Sequence, residues 1–163
     1  MLGKGSQILI VDDDHQLRDV LTEYFTHNGF TVVEAASPTN PLEQLKKNEI
    51  KPTLIISDIN MPEMDGLVLL SHLPELKRIF KAVIISAYGD MSNIRKAMNR
   101  GACDFITKPI DFKDLEITIF NAIEQCLTLK KAMEAQAMLS DLEKELAIAY
   151  NIQQSIIPHH FKP

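Results

Sequence analysis

The stretch Ile8-Leu9-Ile10-Val11-Asp12-Asp13-Asp14 sets four apolar residues directly ahead of three carboxylates. A similar arrangement occurs three more times. Thr53-Leu54-Ile55-Ile56 leads to Asp58, Ala82-Val83-Ile84-Ile85 to Ser86, and Phe105-Ile106-Thr107 to Lys108. Such short, β-branched runs, apolar on both faces, read as buried strands of a parallel sheet. In an open α/β sheet the ligand site lies outside the carboxyl ends of the strands. Three carboxylates (Asp12, Asp13 and Asp58), the Ser86 hydroxyl and the Lys108 ammonium are therefore expected at one edge. That combination suits a divalent cation and a phosphoryl group.

Helical patterns fill the gaps between the runs. Asp14 caps a helix with Leu17, Val20, Leu21, Tyr24 and Phe25 as its apolar stripe, and Asn28-Gly29 ends it. Phe30 to Glu34 reads as a more amphipathic, edge-like strand. Ser37-Pro38 opens a second helix through about Lys47, with Leu42 and Leu45 inward. After Asp58 comes the turn-rich Met61-Pro62-Glu63-Met64-Asp65-Gly66, then a helix with Leu67, Leu69, Leu70 and Leu73. Tyr88-Gly89-Asp90 precedes a helix with Ile94, Ala97 and Met98, stopped at Arg100-Gly101. Alternating strands and helices with short, right-handed connections predict a doubly wound α/β sheet of five parallel strands, with helices on both faces.

From Asp111 the pattern changes. After a few loop-like residues the chain to Ile157 lacks Pro and Gly and is rich in strong helix formers. Leu115, Ile119, Ile123 and Cys126 are expected to face the sheet. Beyond about Leu127 the apolar positions continue: Leu139, Leu142, Leu146, Ala149 and Ile156 alternate at spacings of three and four, with Gln153 in the same stripe. This is the seam of a coiled coil. Ile123, Cys126, Met133 and Ala137 fit another phase, which a stutter near Ala137 to Leu139 would join to it. The expected partner is a second copy of the helix.

The chemistry expected of the edge is phosphoryl transfer. A carboxylate can attack phosphorus to form an acyl phosphate, and Asp58, alone at the end of the central strand, is the candidate nucleophile. Attacking and transferred groups are both negative, so the site needs positive charge. Mg²⁺ held by carboxylates, backbone oxygens and water supplies it. Asp12 and Asp13 are placed to bind that ion; side by side without a cation they would repel. Lys108 can pair with Asp58 at rest and with a phosphoryl oxygen afterwards, and Ser86 can donate to another. Positioning and charge neutralisation are sufficient for this reaction.

Bulk properties exclude several alternatives. A net charge of −5 with no dense Lys/Arg block argues against direct nucleic-acid binding. The polar start, Met1-Leu2-Gly3-Lys4-Gly5-Ser6, does not read as a signal peptide, and no apolar run is long enough to span a bilayer, so a cytoplasmic protein is expected. Cys103 and Cys126 lack metal-ligand spacing and form no disulfide framework. The neighbours His159 and His160 point apart and lack a third ligand, which fits a solvent-facing loop better than a metal site.

Over roughly Ser6 to Gln125 the chain resembles the receiver domains of two-component response regulators. The resemblance is carried by Ile8 to Asp14, by Asp58-Ile59-Asn60-Met61-Pro62-Glu63-Met64-Asp65-Gly66, by Ile85-Ser86-Ala87-Tyr88 and by Phe105-Ile106-Thr107-Lys108-Pro109. It implies the flavodoxin-like strand order 2-1-3-4-5. It also implies that Asp58 accepts a phosphoryl group from a histidine kinase or a phosphotransfer protein. Mg²⁺ would be bound by Asp13, Asp58 and the main-chain oxygen of Asn60, with Asp12 assisting through water. Ser86 and Phe105 match the family's switch pair. Ala87 leaves access to the site, and Asn60 and Tyr88 stand where the family tunes the lifetime of the acyl phosphate.

The tail carries a second resemblance. Glu145-Leu146, Ala149, Ile152-Gln153 and Ile156-Ile157-Pro158 are similar to the entry segment of SpoIIE-type metal-dependent serine/threonine phosphatases. The expected organisation is a receiver over 1–126, a dimerising and signalling helix over 127–157, and the start of an output domain over 158–163. On this reading the chain has no enzymatic role beyond Mg²⁺-dependent self-phosphorylation and dephosphorylation at Asp58, and the phosphatase would be an output domain in cis. Two alternatives remain open. One is a stand-alone interaction module without catalytic output. The other is a haloacid-dehalogenase-like phosphohydrolase, which also uses Asp, Lys and Mg²⁺ but needs a general-acid Asp where Asn60 stands.

Overall fold

The computed structural model describes residues 5–60 and 66–156, with the side chains of 155 and 156 left out. The expected loop over 61–65 and the expectations placed on 157–163, His159 and His160 among them, lie outside the described residues. Strands β1 (Gln7–Val11), β2 (Thr31–Ala35), β3 (Leu54–Asp58), β4 (Lys81–Ala87) and β5 (Asp104–Lys108) form one sheet in the order β2-β1-β3-β4-β5. Every pairing is parallel. Helices α1 (His15–His27), α2 (Thr39–Lys46), α3 (Gly66–His72), α4 (Met91–Asn99) and α5 (Phe112–Ile156) follow the strands, with a 3₁₀ turn at Leu73–Leu76 after α3. The predicted fold class and strand order are those observed.

The alternation of side chains along each strand divides the core in two. Leu9, Val11, Ile55 and Ile84 pack on one face with Leu42, Leu45, Leu69, Leu70 and Ala97 from α2, α3 and α4. Ile8, Ile10, Leu54, Ile56, Val83, Ile85 and Ile106 pack on the other with Leu21 and Phe25 of α1 and Leu115, Ile119 and Ile123 of α5. Strands buried on both faces cannot alternate apolar and polar residues, which explains the continuous apolar runs. The edge strand β2 is only partly buried, as its amphipathic sequence predicts.

Helix ends follow local chemistry. Asp14 caps α1, its Oδ1 accepting from the N–H groups of Gln16 at 3.0 Å and Leu17 at 3.3 Å. Gly29 takes the left-handed conformation that the reversal into β2 requires (φ 91°). Val20 of α1, expected in the apolar stripe, is instead exposed, and so is Met98 of α4. At roughly 100° per residue, Val20 stands about a quarter turn from Leu21, the middle of the buried stripe. Met98 lies on the flank of the Ile94–Ala97 face of a short helix.

Two compact units divide the chain, Met1–Leu127 and Thr128–Pro163. In the first, Leu115, Ile119, Ala122, Ile123 and Cys126 of α5 are buried. In the second, Leu129, Met133, Leu139, Leu142 and Leu146 are all exposed on a helix free of Gly and Pro. Among the described residues no helix is long and apolar enough to cross a membrane.

Candidate functional site

Parallel strands bring their carboxyl ends to one edge, and register decides which residues meet there. Val11 pairs with Ser57, Asp58 with Ile85, Ser86 with Thr107, and Ala87 with Lys108. Asp12 follows β1 directly, while Asp58 and Lys108 are the last residues of β3 and β5. Ligand oxygens of Asp12, Asp13 and Asp58 all lie within 4.8 Å of one another. Asp12 and Asp58 are buried and Asp13 is exposed, so the cluster opens to solvent on one side.

The oxygens of the two buried carboxylates have definite environments. Asp58 Oδ1 accepts from the Asn60 N–H at 3.2 Å, and Oδ2 accepts from Lys108 Nζ at 3.2 Å. Asp12 Oδ1 accepts from the Asp14 N–H at 2.8 Å. Asp12 Oδ2 is buried without a hydrogen bond, 3.6 Å from the Lys108 ammonium. Burial, helped by the charges of Asp58 and Asp13, pushes the Asp12 carboxyl up to about 6 against the opposing Asp14 N–H and Lys108. Burial pulls Lys108 the other way, but Asp12 and Asp58 outweigh it and hold the ammonium above its ordinary range.

A buried acceptor with no hydrogen bond, among three converging carboxylates and one cation, leaves negative charge uncompensated. The donor set is all oxygen, which suits a hard divalent ion such as Mg²⁺. The Asn60 main chain adjoins the cluster through its N–H to Asp58.

Ser86 is wholly buried, and its hydroxyl makes no hydrogen bond of good geometry. Phe105 pairs with Ile84, two residues before Ser86, so Ser86 and Phe105 share one face of the sheet. The Phe105 ring is partly buried against the core on that face. Ala87 and Asn60 are exposed, as is Tyr88, at 86%.

Three contributors were not singled out by sequence reasoning. Arg18 Nη1 donates to the Asp12 main-chain carbonyl at 2.6 Å, and its Nε lies 3.6 Å from Glu34. Asp90 accepts from Asn93 at 2.9 Å, and its carboxyl is held below the ordinary range by Asn93 first, with Asn60 and Ser86 contributing. Gly66 closes on β3, its N–H donating to Ile59 O at 2.8 Å, and a Cβ there would collide with the Asp58 carbonyl. The Arg18 position, one turn beyond the Asp14 cap, was the available signal; its partner in β2 was not.

Residues 8–120 match the response regulator receiver domain family. Among curated relatives, the two-component response regulator ARR12 of Arabidopsis thaliana is 34% identical over 69% of this chain and 19% of its own length. The regulator of RpoS from Escherichia coli K12 is 34% identical over 84% of this chain and 40% of its own. The chain thus spans well under half of these relatives. A receiver domain protein from Clostridium thermocellum superposes with a TM-score of 0.70 at 28% identity, covering 76% of this chain and 98% of that one. With the sheet order, the converging carboxylates and the family match in agreement, this chain belongs to the response regulator receiver domains of two-component systems.

Proposed function

We propose that the chain is a phosphorylation switch in which Asp58 accepts a phosphoryl group from a sensor histidine kinase or a phosphotransfer protein. The observation that carries this reading is the Lys108 ammonium, 3.2 Å from Asp58 and 3.6 Å from Asp12 at the carboxyl edge of the sheet. An Asp58 oxygen attacks the phosphorus of a phosphohistidine, the O–P bond forms as the P–N bond breaks, and the histidine nitrogen keeps the bonding pair. Receiver domains bind Mg²⁺ at an acidic pocket. Here Asp12, Asp13, Asp58 and the Asn60 main-chain oxygen would hold the ion, which supplies positive charge against two anionic reactants.

Lys108 then pairs with a phosphoryl oxygen, and Ser86, with no competing hydrogen bond of good geometry, donates to another. Phe105, on the same face, turns inward as Ser86 moves, which reshapes the surface around α4 and β5. Asn60 and Tyr88 set the lifetime of the acyl phosphate. Intact mass with Mg²⁺ and acetyl phosphate tests the assignment. A phosphoryl adduct absent from Asp58→Asn is expected; an adduct that persists on another residue overturns it.

The receiver occupies 1–126, a dimerising and signalling helix 127–157, and an output domain begins over 158–163. The alignment with the regulator of RpoS runs over 138 residues, too many for Met1–Leu127 alone, which supports a likeness reaching into the helical segment. Leu139, Leu142 and Leu146 form the seam between two copies. The output is a SpoIIE-type protein phosphatase in cis, and this chain itself does no chemistry beyond self-phosphorylation and dephosphorylation at Asp58. Its place is the cytoplasm, where histidine kinases meet their receivers.

A further inference from the structure

The Asp12 carbonyl stands where β1 ends and the paired carboxylates begin. The Asp12 N–H is held by Ala35 O at 3.0 Å, but among the described residues no backbone N–H reaches the Asp12 carbonyl. Arg18 takes that place from α1, its Nη1 donating at 2.6 Å. The guanidinium is itself fixed: its side chain is 14% exposed, its Nε lies 3.6 Å from Glu34 in β2, and Nη2 lies 3.2 Å from His15 Nδ1.

We propose that Arg18 is a positioning residue for cation binding: through the Asp12 carbonyl it fixes the turn that aims the Asp12 and Asp13 carboxylates. This rests on the reading of the pocket as a Mg²⁺-dependent phosphoacceptor site. Arg18 contacts main chain and touches neither carboxylate of the pair, and Glu34 offsets its charge. Its contribution to the pocket is therefore geometric. Charge and geometry predict opposite results. Removing Arg18 deletes a positive charge and leaves Glu34 uncompensated, so charge alone would tighten Mg²⁺ binding. Loss of positioning weakens it.

The test is a MgCl₂ titration of the full chain followed by two-dimensional NMR, with thermal unfolding in chelator as a separate measure of folding. Arg18→Met is expected to weaken Mg²⁺ binding about 10-fold, the usual cost of losing a group that orients metal ligands. Arg18→Lys keeps the charge and can still reach a carbonyl, so a smaller but measurable loss is expected. If Arg18→Met does not fold, Arg18→Lys decides alone, because charge predicts no change for it. Unchanged or tighter binding in a folded variant overturns the proposal, even with a lower unfolding temperature. A wild-type chain that binds no Mg²⁺ overturns the phosphoacceptor reading as well, whereas normal wild-type binding with indifferent variants overturns only the role of Arg18.

Discussion

Asp12 is wholly buried beside Asp58 and Lys108, and its carboxyl titrates at about 6. The folded state therefore holds this proton more tightly than the unfolded chain does. The stabilisation this brings is complete below the unfolded carboxylate value near 4 and is lost as pH rises through about 6. At pH 7 without a cation, Asp12 thus weakens the fold, by an amount on the order of 3 kcal/mol. Asp12→Asn, which keeps an oxygen for the Asp14 N–H, is expected to be more stable than wild type in urea at pH 7 with chelator. The gain should shrink toward pH 5, and a gain independent of pH would refute the argument. Gly66 meets a different constraint, since any Cβ there strikes the Asp58 carbonyl, a backbone atom that cannot swing aside. Gly66→Ala should cost more than about 2 kcal/mol in urea unfolding. A change below about 0.5 kcal/mol would show that the loop absorbs the methyl group freely.

At the scale of elements, α5 has two characters. Leu115, Ile119, Ile123 and Cys126 are buried, whereas Leu139, Leu142 and Leu146 are exposed along a stripe spaced three and four apart. Exposed leucines at heptad spacing on a segment without its own core are best buried against another helix. Leu142→Asp with Leu146→Asp should convert a concentration-dependent dimer to a monomer in sedimentation velocity and leave the unfolding of the first unit unchanged. A monomeric wild type, or a dimer indifferent to both charges, would sink the seam. The same contrast explains what could be read from residues alone. The buried strands were legible because burial on both faces leaves an apolar run, and Asp12, Asp58, Ser86 and Lys108 because each stands at or beside a strand's carboxyl end. Val20 misled because it lies on the flank of a helix stripe, where burial depends on how closely neighbours approach. Arg18 and Asp90 were hidden for another reason. Each owes its place in the site to a group fixed only by the fold, Glu34 of β2 for Arg18 and Asn60 beyond β3 for Asp90.

On the scale of the molecule, among the described residues both halves of the sheet's core are built from residues up to Leu127. The carboxylates, Lys108, Ser86 and Phe105 all precede that point. A fragment ending at Lys131, which keeps one turn of α5 past the last buried residues, should therefore unfold cooperatively and bind Mg²⁺ like the full chain. It should also take a phosphoryl group from acetyl phosphate at the same rate. It should differ in one property, remaining monomeric at every concentration, because Leu139, Leu142 and Leu146 are gone. Comparing adduct lifetime in fragment and full chain then locates the output coupling. Equal lifetimes mean that the helical segment leaves hydrolysis in the pocket unchanged. A shorter or longer lifetime in the full chain would mean that the helical segment changes hydrolysis in the pocket itself. A fragment that fails to fold would overturn the division at Leu127 and, with it, the separation of switch from seam.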